Sequence, residues 1–475
     1  MNQFQKKVRE LAGNFFYCYH KENRRRDQIH TMKQNLTEGN ILKSLLSFSL
    51  PYLLSCFLQT FYGMADLFII GQFRGAASTT AVSIGSQIMH MITVIVMGLA
   101  MGSTIKIGHA AGAKDDKTIS KTIGNTICIF LLIALLLTIL LLCNTFRIIS
   151  LMHTPIESVT ETYSYLIICF AGIPFIIAYN IISSIFRGLG DSRTPMYFVA
   201  VACIINILLD FLLIGGLGIG AAGAALGTVL SQAASSIFAL LVIIRKKLII
   251  LKKPHFIPDK QIFAGIMKSG FPIALQDGFI QVSFLIITVI ANKRGLIAAT
   301  GVGIVEKIIG FLFLVPSAML SSVSAITAQN IGAKNPKRAQ QTLLYALSIT
   351  IVFGLFCTIY CQFLPQTLVG LFSKEAAVVE AGCDYLQSYV TDCIFAGIHF
   401  CFSGYFCGYG KSSISFIHNL ISILLVRIPG AYFASILFPE SLFPMGMAAP
   451  LGSILSAVIC IGFFIYFRKN ERHLS

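Results

Sequence analysis

The sequence predicts an all-α polytopic membrane protein with twelve transmembrane helices in two parallel six-helix repeats. Of its 475 residues, 56% are apolar and only 12% are charged, about half the charged fraction of an average soluble domain. Twelve apolar blocks are each long enough to supply the roughly 20 residues that a helix needs to cross a bilayer. This composition excludes a disordered chain, a disulfide-rich secreted fold and a nucleic-acid-binding domain. A transmembrane β-barrel would instead show alternating segments of about 10 residues.

The apolar blocks give the approximate bounds of the spans. We predict spans 1 to 6 at residues 48–72, 80–105, 123–145, 163–186, 195–216 and 222–244, and spans 7 to 12 at residues 270–291, 297–322, 343–365, 385–407, 413–437 and 445–467. The chain then divides into an N-terminal segment (1–40), an N-lobe (41–244), a linker (245–261), a C-lobe (262–467) and a tail (468–475).

The N-terminal segment is polar and basic, which predicts that it is not a signal peptide. Residues 1–31 are either a small amphipathic lead-in or an artefact of start-site choice, because Met32 also begins a sensible membrane-protein opening. The first span is expected to act as its own signal.

The basic residues predict the orientation in the membrane. Of the 36 Lys and Arg, 29 fall in the N-terminal segment, alternate loops and the tail, and five fall in the other loops. This asymmetry predicts a plasma-membrane protein with both termini in the cytoplasm. A basic cytoplasmic face also explains the net charge of +16 without a nucleic-acid partner.

Short motifs recur at a spacing of 220 residues. Gly112-Ala-Lys after span 2 recurs as Gly332-Ala-Lys after span 8, and Gly188-Leu-Gly after span 4 recurs as Gly408-Tyr-Gly after span 10. The chain is therefore two copies of a six-helix unit, and both copies enter from the same side because six is even. The glycines are expected to end their helices in left-handed conformations rather than to act in catalysis.

Three polar residues of the N-lobe spans share one depth. Asp66 lies about 9 Å beyond the middle of span 1, and Asp210 and Thr228 lie about 7 Å beyond the middles of spans 5 and 6, at about 1.5 Å per residue. Asn206 precedes Asp210 by one turn. Tyr62 and Gln59 share the stripe of Asp66 and are expected to line a substrate cavity. We expect the polar cluster to face the protein interior, because a charge at a helix centre costs about 2.5 to 3.5 kcal/mol in a bilayer.

This cluster could bind either of two ions, Na⁺ or a proton. Two carboxylates, an amide and a hydroxyl offer the oxygen ligands that a small hard cation such as Na⁺ prefers. They suit a proton equally well, because two carboxylates confined at low dielectric do not both ionise readily. The alternative is that both aspartates only bond neighbouring helices.

The C-lobe lacks an equivalent acid cluster, since the corresponding positions lie around Ile287 and Tyr432. Four ionisable residues of its spans are either charged features of a substrate cavity or interhelical ion pairs: Glu306, Lys307, Asp392 and Arg427. A second polar group is expected to line the cytoplasmic side of that cavity: Gln276, Asp277 and Gln281.

No sequence motif indicates an enzyme or a bound cofactor. The thirteen cysteines contain no CxxC pair, and we interpret them, including Cys357 and Cys361, as small buried apolar residues without disulfides or zinc. No phosphate loop, nucleophile elbow or HExxH occurs. If the protein pumps a substrate, it is therefore expected to use an ion gradient rather than ATP.

Several segments closely resemble the multidrug and toxic compound extrusion (MATE) family. They are Leu36-Thr-Glu-Gly-Asn-Ile, the Pro51 helix head, Met64-Ala-Asp-Leu-Phe-Ile-Ile-Gly71, the paired Gly-Ala-Lys turns and Asn206-Ile-Leu-Leu-Asp210. The resemblance implies a two-lobe antiporter that exports organic cations in exchange for H⁺ or Na⁺. No obligate protein partner is evident, and we expect a monomer in the bilayer.

Motif by motif, Asp66 resembles the family's coupling aspartate, and Asn206, Asp210 and Thr228 resemble the cation site of the DinF-like branch. The NorM-like branch has C-lobe coupling acids, and here those places hold Ile280 or Gln281 and residues near Ala396. The resemblance therefore favours coupling in the N-lobe. The rival transport functions are a flippase for lipid-linked precursors, which would need a strongly cationic cavity, and an exporter of a natural metabolite. A membrane receptor or scaffold would need no coupling acids.

Overall fold

The twelve predicted spans are present as helices. The structure is a computed structural model that describes residues 35–245 and 252–472. Ten helices are long and apolar enough to cross a membrane, and two bent helix pairs complete the twelve. Spans 1 to 6 are Ile41–Phe73, Ala76–Gly112, Asp116–Leu151, Ile156–Ala171 with Ile173–Gly188, Arg193–Gly216 and Ala221–Arg245. Spans 7 to 12 are Lys260–Asn292, Leu296–Gly332, Pro336–Phe363, Ala376–Tyr389 with Asp392–Gly408, Ser412–Leu437 and Phe443–Lys469.

The helices extend beyond the apolar blocks because polar side chains cap them outside the apolar region. Asp115 and Asn335, which lie 220 residues apart, accept hydrogen bonds from the main-chain N–H of Thr118 (3.0 Å) and Arg338 (3.2 Å). These caps begin spans 3 and 9 in the same way in both repeats. Residues 1–34, and with them the question about residues 1–31, lie outside the described residues, as do residues 246–251 of the linker. The domain boundaries remain predictions.

The Gly-Ala-Lys turns differ from the expectation. Gly112 and Gly332 are the last residues of their helices, and the left-handed conformation falls on Lys114 (φ 57°) and Lys334 (φ 59°). The two glycines are small for another reason, since the main chain of the opposite lobe lies against each of them. In the span 4 and span 10 turns, Gly190 and Gly410 do have positive φ, as expected.

Breaks in several spans interrupt regular α-helix. Span 4 bends by 49° at Gly172, just before Pro174, and span 10 bends by 42° between Tyr389 and Asp392 without a proline. Spans 5 and 11 contain π-helical segments, Phe211–Gly216 and Ile423–Arg427. In a π-helix each N–H bonds to the carbonyl five residues earlier, which redirects side chains and is common at functional sites.

At one end of the bundle, the first helix of each lobe packs against the other lobe. We call this the terminal end, because the described chain both begins and finishes there. Leu45 and Phe48 of span 1 pack in a C-lobe cluster with spans 8 to 10, while Ile262 and Ile266 of span 7 pack in the N-lobe core. Each lobe therefore buries apolar side chains of the other at the terminal end.

Short segments ahead of spans 1 and 7 strengthen this packing. Arg338 at the start of span 9 donates to the carbonyls of Leu36, Glu38 and Gly39 at 3.2, 2.7 and 2.7 Å. In the other repeat, Lys121 pairs with Asp259 at 2.9 Å at the start of span 3. The same docking thus occurs once in each direction between the lobes.

Candidate functional site

The structure brings Asp66, Asn206, Asp210 and Thr228 together inside the N-lobe. The Thr228 hydroxyl donates to Asp66 Oδ2 at 3.2 Å, and the side chains of Asp210 and Asn206 contact the same carboxyl group. Asp66 is 3% exposed, and Asn206 and Asp210 are fully buried. Spans 1, 5 and 6 therefore place two carboxyl groups, an amide and a hydroxyl in one buried cluster, as the depths along the sequence predicted.

Five polar atoms of this cluster are buried and have no hydrogen-bond partner outside the cluster. They are Asp66 Oδ1, both carboxyl oxygens of Asp210, and the oxygen and nitrogen of the Asn206 amide. Buried polar groups are almost always paired, and an isolated buried carboxylate is unfavourable. A set of converging oxygen atoms in this condition is suited to a proton or to a small monovalent cation.

Two features of the cluster were not predicted. Span 5 changes from α- to π-helix immediately after Asp210, and the Gly215-Gly216 pair is the only sequence hint of irregularity there. Gly227 of span 6 lies against the cluster, because a Cβ at this position would overlap Asp210 Oδ1 and lie 3.6 Å from Asn206 Nδ2. The run of small residues from Ala221 to Gly227 could have indicated this close approach.

A second group of polar side chains continues from the cluster toward the terminal end. Gln232 donates its amide to the Tyr62 hydroxyl at 3.2 Å, and Gln59 contacts the hydroxyl of Tyr179. Tyr62 and Gln59 are half-buried, which fits their predicted place on the stripe of Asp66. Tyr179 and Gln232 were not predicted from the sequence.

The C-lobe holds a different cluster around one buried cation. Arg427 donates to the Tyr389 hydroxyl at 2.6 Å, and its guanidinium lies 4.6 Å from the centre of the Phe284 ring. Glu306 accepts a hydrogen bond from Thr288 at 3.2 Å. Arg427 lies within electrostatic range of Glu306 and Asp392, yet within the described ranges it forms no ion pair shorter than 4.0 Å with either.

The other C-lobe candidates are not all at one place. Gln276 is buried and accepts a hydrogen bond from Ser415 at 2.6 Å. Asp277 lies between the lobes, because a Cβ on Gly98 of span 2 would be 2.8 Å from its Oδ2. Gln281 is half-buried, and Lys307 is exposed.

The C-lobe positions equivalent to the N-lobe acids hold no matching site. Ile287 packs in the C-lobe core, and Tyr432 is 48% exposed. Cys357 and Cys361 are free and pack in the same core. Among the residues that the structure describes, no three His, Cys, Asp or Glu side chains converge as metal ligands.

The two halves also match one family model. The model described as MatE matches residues 51–212 and again residues 272–433. The chain belongs to the MATE family. It is a multi-pass membrane transporter rather than an enzyme, and the double match confirms the two-repeat organisation predicted from the motifs. MATE transporters are ion-coupled, and no cofactor is evident in this chain.

Curated relatives match over nearly their whole length. The chain is 28% identical over 437 residues to "Probable multidrug resistance protein YpnP" of Bacillus subtilis (strain 168), covering 92% of this chain and 97% of that protein. It is 26% identical over 417 residues to "Multidrug export protein MepA" of Staphylococcus aureus (strain bovine RF122 / ET3-1), covering 85% and 91%.

A solved structure confirms the MATE fold. The chain superposes with a TM-score of 0.86 on "Outward-facing conformation of a multidrug resistance MATE family transporter of the MOP superfamily", at 22% identity, covering 94% of this chain and all of that one. At this identity the likeness concerns the fold alone.

Proposed function

We propose that this MATE protein is a secondary active antiporter that exports cationic amphiphilic compounds in exchange for H⁺ or Na⁺. The observation that carries the proposal is the buried pair Asp66 and Asp210, whose carboxyl oxygens have no hydrogen-bond partner outside the cluster. A structural pair would be expected to find donors on neighbouring helices. A coupling site must instead release and rebind its ion in every cycle.

The mechanism that we propose follows from which helices hold the site. Ion binding at Asp66 and Asp210 joins spans 1, 5 and 6, and the π-helical segment after Asp210 gives span 5 a place to change its hydrogen-bond register. Movement of these spans alters the face that the N-lobe presents to the C-lobe. A bound cation is then expelled on one side, and the ion is released on the other. The two lobes alternate access by moving against each other.

The choice of substrate class rests on two kinds of support. The matched relatives carry names that describe multidrug resistance and multidrug export. The C-lobe cluster has one buried cation, Arg427, and two nearby carboxyl groups, Glu306 and Asp392. When all three are ionised its net charge is −1, which favours an organic cation over an anion.

The same charge count disfavours a flippase for lipid-linked precursors. A pyrophosphate group would need several converging cations, and Arg427 is the one cation that the described residues place in this cluster. An exporter of a natural metabolite that is cationic fits the proposed site as well as a drug exporter does.

We further propose that the protein lies in the plasma membrane with its terminal end in the cytoplasm. The excess of Lys and Arg in the segments at that end supports this orientation. Assignment to the DinF-like branch remains a prediction that rests on the N-lobe residues.

Ethidium efflux from loaded cells tests the coupling site. We expect Asp210→Asn to reach the membrane at the wild-type level and to lose efflux, because an amide neither binds the coupling proton nor supplies an anionic ligand. Collapsing the proton and sodium gradients separately should stop wild-type efflux in one case only, which names the ion.

The matched control is Asp115→Asn. This substitution makes the same chemical change at an exposed N-cap, where asparagine also caps a helix, and we expect it to export normally. Full efflux by Asp210→Asn would contradict the proposed coupling role. Absence of efflux by the wild type would move the substrate search to natural metabolites.

A further inference from the structure

In addition to the docking contacts of Arg338 and Lys121, two hydrogen bonds at helix ends join the lobes at the terminal end. His109, near the end of span 2, lies with Nε2 2.7 Å from the carbonyl oxygen of Gly408 at the end of span 10. Gln329, near the end of span 8, donates its amide at 3.1 Å to the carbonyl oxygen of Gly188 at the end of span 4. Since a carbonyl only accepts, His109 Nε2 carries the proton in its bond.

These two bonds are the same contact made twice. His109 and Gln329 are 220 residues apart, and so are Gly188 and Gly408. This is the spacing of the sequence repeat, so equivalent side chains reach equivalent carbonyls in opposite directions. Their donors differ in chemistry, an imidazole in one repeat and a primary amide in the other, but both supply one N–H.

Glycines near the ends of spans 2 and 8 allow these two helices to approach closely enough for the bonds to form. A Cβ on Gly112 would overlap the main-chain oxygen of Gln329, and a Cβ on Gly332 would overlap that of His109. Gly108 also lies against span 8, where an added Cβ would be 2.9 Å from Ala328 Cβ. The close approach of spans 2 and 8 thus explains why glycine recurs at Gly112 and Gly332, which the conformation of the turns does not explain.

The accepting carbonyls are groups that a helix leaves unpaired. The last four carbonyls of an α-helix have no partner within it, and Gly188 and Gly408 each end a helix. Both glycines are buried. Closure at the terminal end therefore supplies each carbonyl with a donor from the opposite lobe, whereas separation of the lobes would leave it to water.

We propose that His109 with Gly408 and Gln329 with Gly188 form a two-fold latch that holds the terminal end shut. Both bonds must break before that end can open, and each lobe contributes one donor and one acceptor. Losing one arm removes one net hydrogen bond from the closed state only, which should raise the ratio of open to closed molecules about fivefold. Losing both arms should raise it about 25-fold if the arms act independently.

Distances between spin labels test the latch without any transport measurement. Labels are placed at Lys117→Cys and Lys337→Cys, which are exposed, lie at the terminal end of spans 3 and 9, and are 220 residues apart. The labelled protein has its reactive native cysteines replaced, and pulsed electron paramagnetic resonance is recorded in nanodiscs without substrate or gradient. The populations of the short and long distances then give the closed and open fractions.

Matched substitutions separate hydrogen bonding from packing. His109→Gln keeps a donor and His109→Met removes it at nearly constant side-chain size, and Gln329→His and Gln329→Met form the same comparison. We expect both methionine variants to shift population to the long distance and the two donor-keeping variants to resemble the wild type. His90→Ala, at an exposed histidine on the same span, should leave the distances unchanged.

Wild-type distance distributions in both methionine variants and in their combination would overturn the latch. Equal shifts in His109→Met and His109→Gln would overturn it too, since packing alone would then explain the effect. The readout requires neither the coupling ion nor the substrate. Failure of the antiport proposal would therefore appear in the efflux assay and leave this result unaffected.

Discussion

Gly227→Ala is predicted to disable the ion site without altering any polar residue. The added methyl group would overlap Asp210 Oδ1, so the carboxyl group must move by about 1 Å to restore an ordinary van der Waals contact. Overpacking of this kind typically costs about 1 to 3 kcal/mol. If the strain is relieved by displacing Asp210 from Asp66, the affinity for the coupling ion should fall by about 10- to 100-fold.

Proteoliposomes allow this loss to be measured directly. The half-saturating concentration of the driving ion for ethidium transport should rise in Gly227→Ala, while the maximal rate at saturating ion is largely restored. Gly462→Ala is the matched control, because an added Cβ there meets no atom within 4 Å. Thermal melting of both variants shows whether the protein remains folded. A folded Gly227→Ala protein with wild-type ion dependence would refute the assignment of Asp210 to the site.

Three further predictions follow from single contacts. Thr228→Val should weaken ion coupling several-fold by removing the donor to Asp66, with Thr228→Ser retaining it; ion-dependent efflux measures both. Arg427→Met should lower the unfolding free energy by about 2 kcal/mol, because it removes the hydrogen bond from a charged guanidinium to the buried Tyr389 hydroxyl, and thermal melting measures the loss. The hydrogen bond from Lys121 holds the pKa of the half-buried Asp259 below its ordinary value. The docking of residues 252–259 should therefore be complete above about pH 3.9 and weaken as the pH falls through the lowered pKa. Hydrogen exchange, corrected for intrinsic rates, should show this loss in the wild type and not in Asp259→Asn.

Hydropathy and repeat spacing were sufficient to predict the twelve spans, because a bilayer requires about 20 apolar residues in each crossing helix. The depths of Asp66, Asp210 and Thr228 along their spans also predicted correctly that the three residues lie together. This prediction succeeded because helical rise converts residue number into depth, and because charged groups in spans face the interior.

Features that depend on the partner helix could not be predicted in this way. The π-helical segment Phe211–Gly216 changes hydrogen-bond register without a change in hydropathy. The bend between Tyr389 and Asp392 occurs without proline. Gly112 was interpreted as a turn residue, since a sequence alone does not reveal that the main chain of span 8 lies against it.

The two repeats share structural contacts at the terminal end, but their buried polar clusters differ in chemistry. The helix caps, the docked segments ahead of spans 1 and 7, and the His109 and Gln329 bonds recur at corresponding positions, and all lie at the terminal end. The buried polar clusters do not recur: the N-lobe holds two facing carboxyl groups, and the C-lobe holds carboxyl groups near an arginine. Closure of the terminal end needs both lobes equally, because each must supply a donor and an acceptor across the same interface. An ion site needs only one lobe to change shape, so divergence of the C-lobe cluster is compatible with retention of the shared closing contacts.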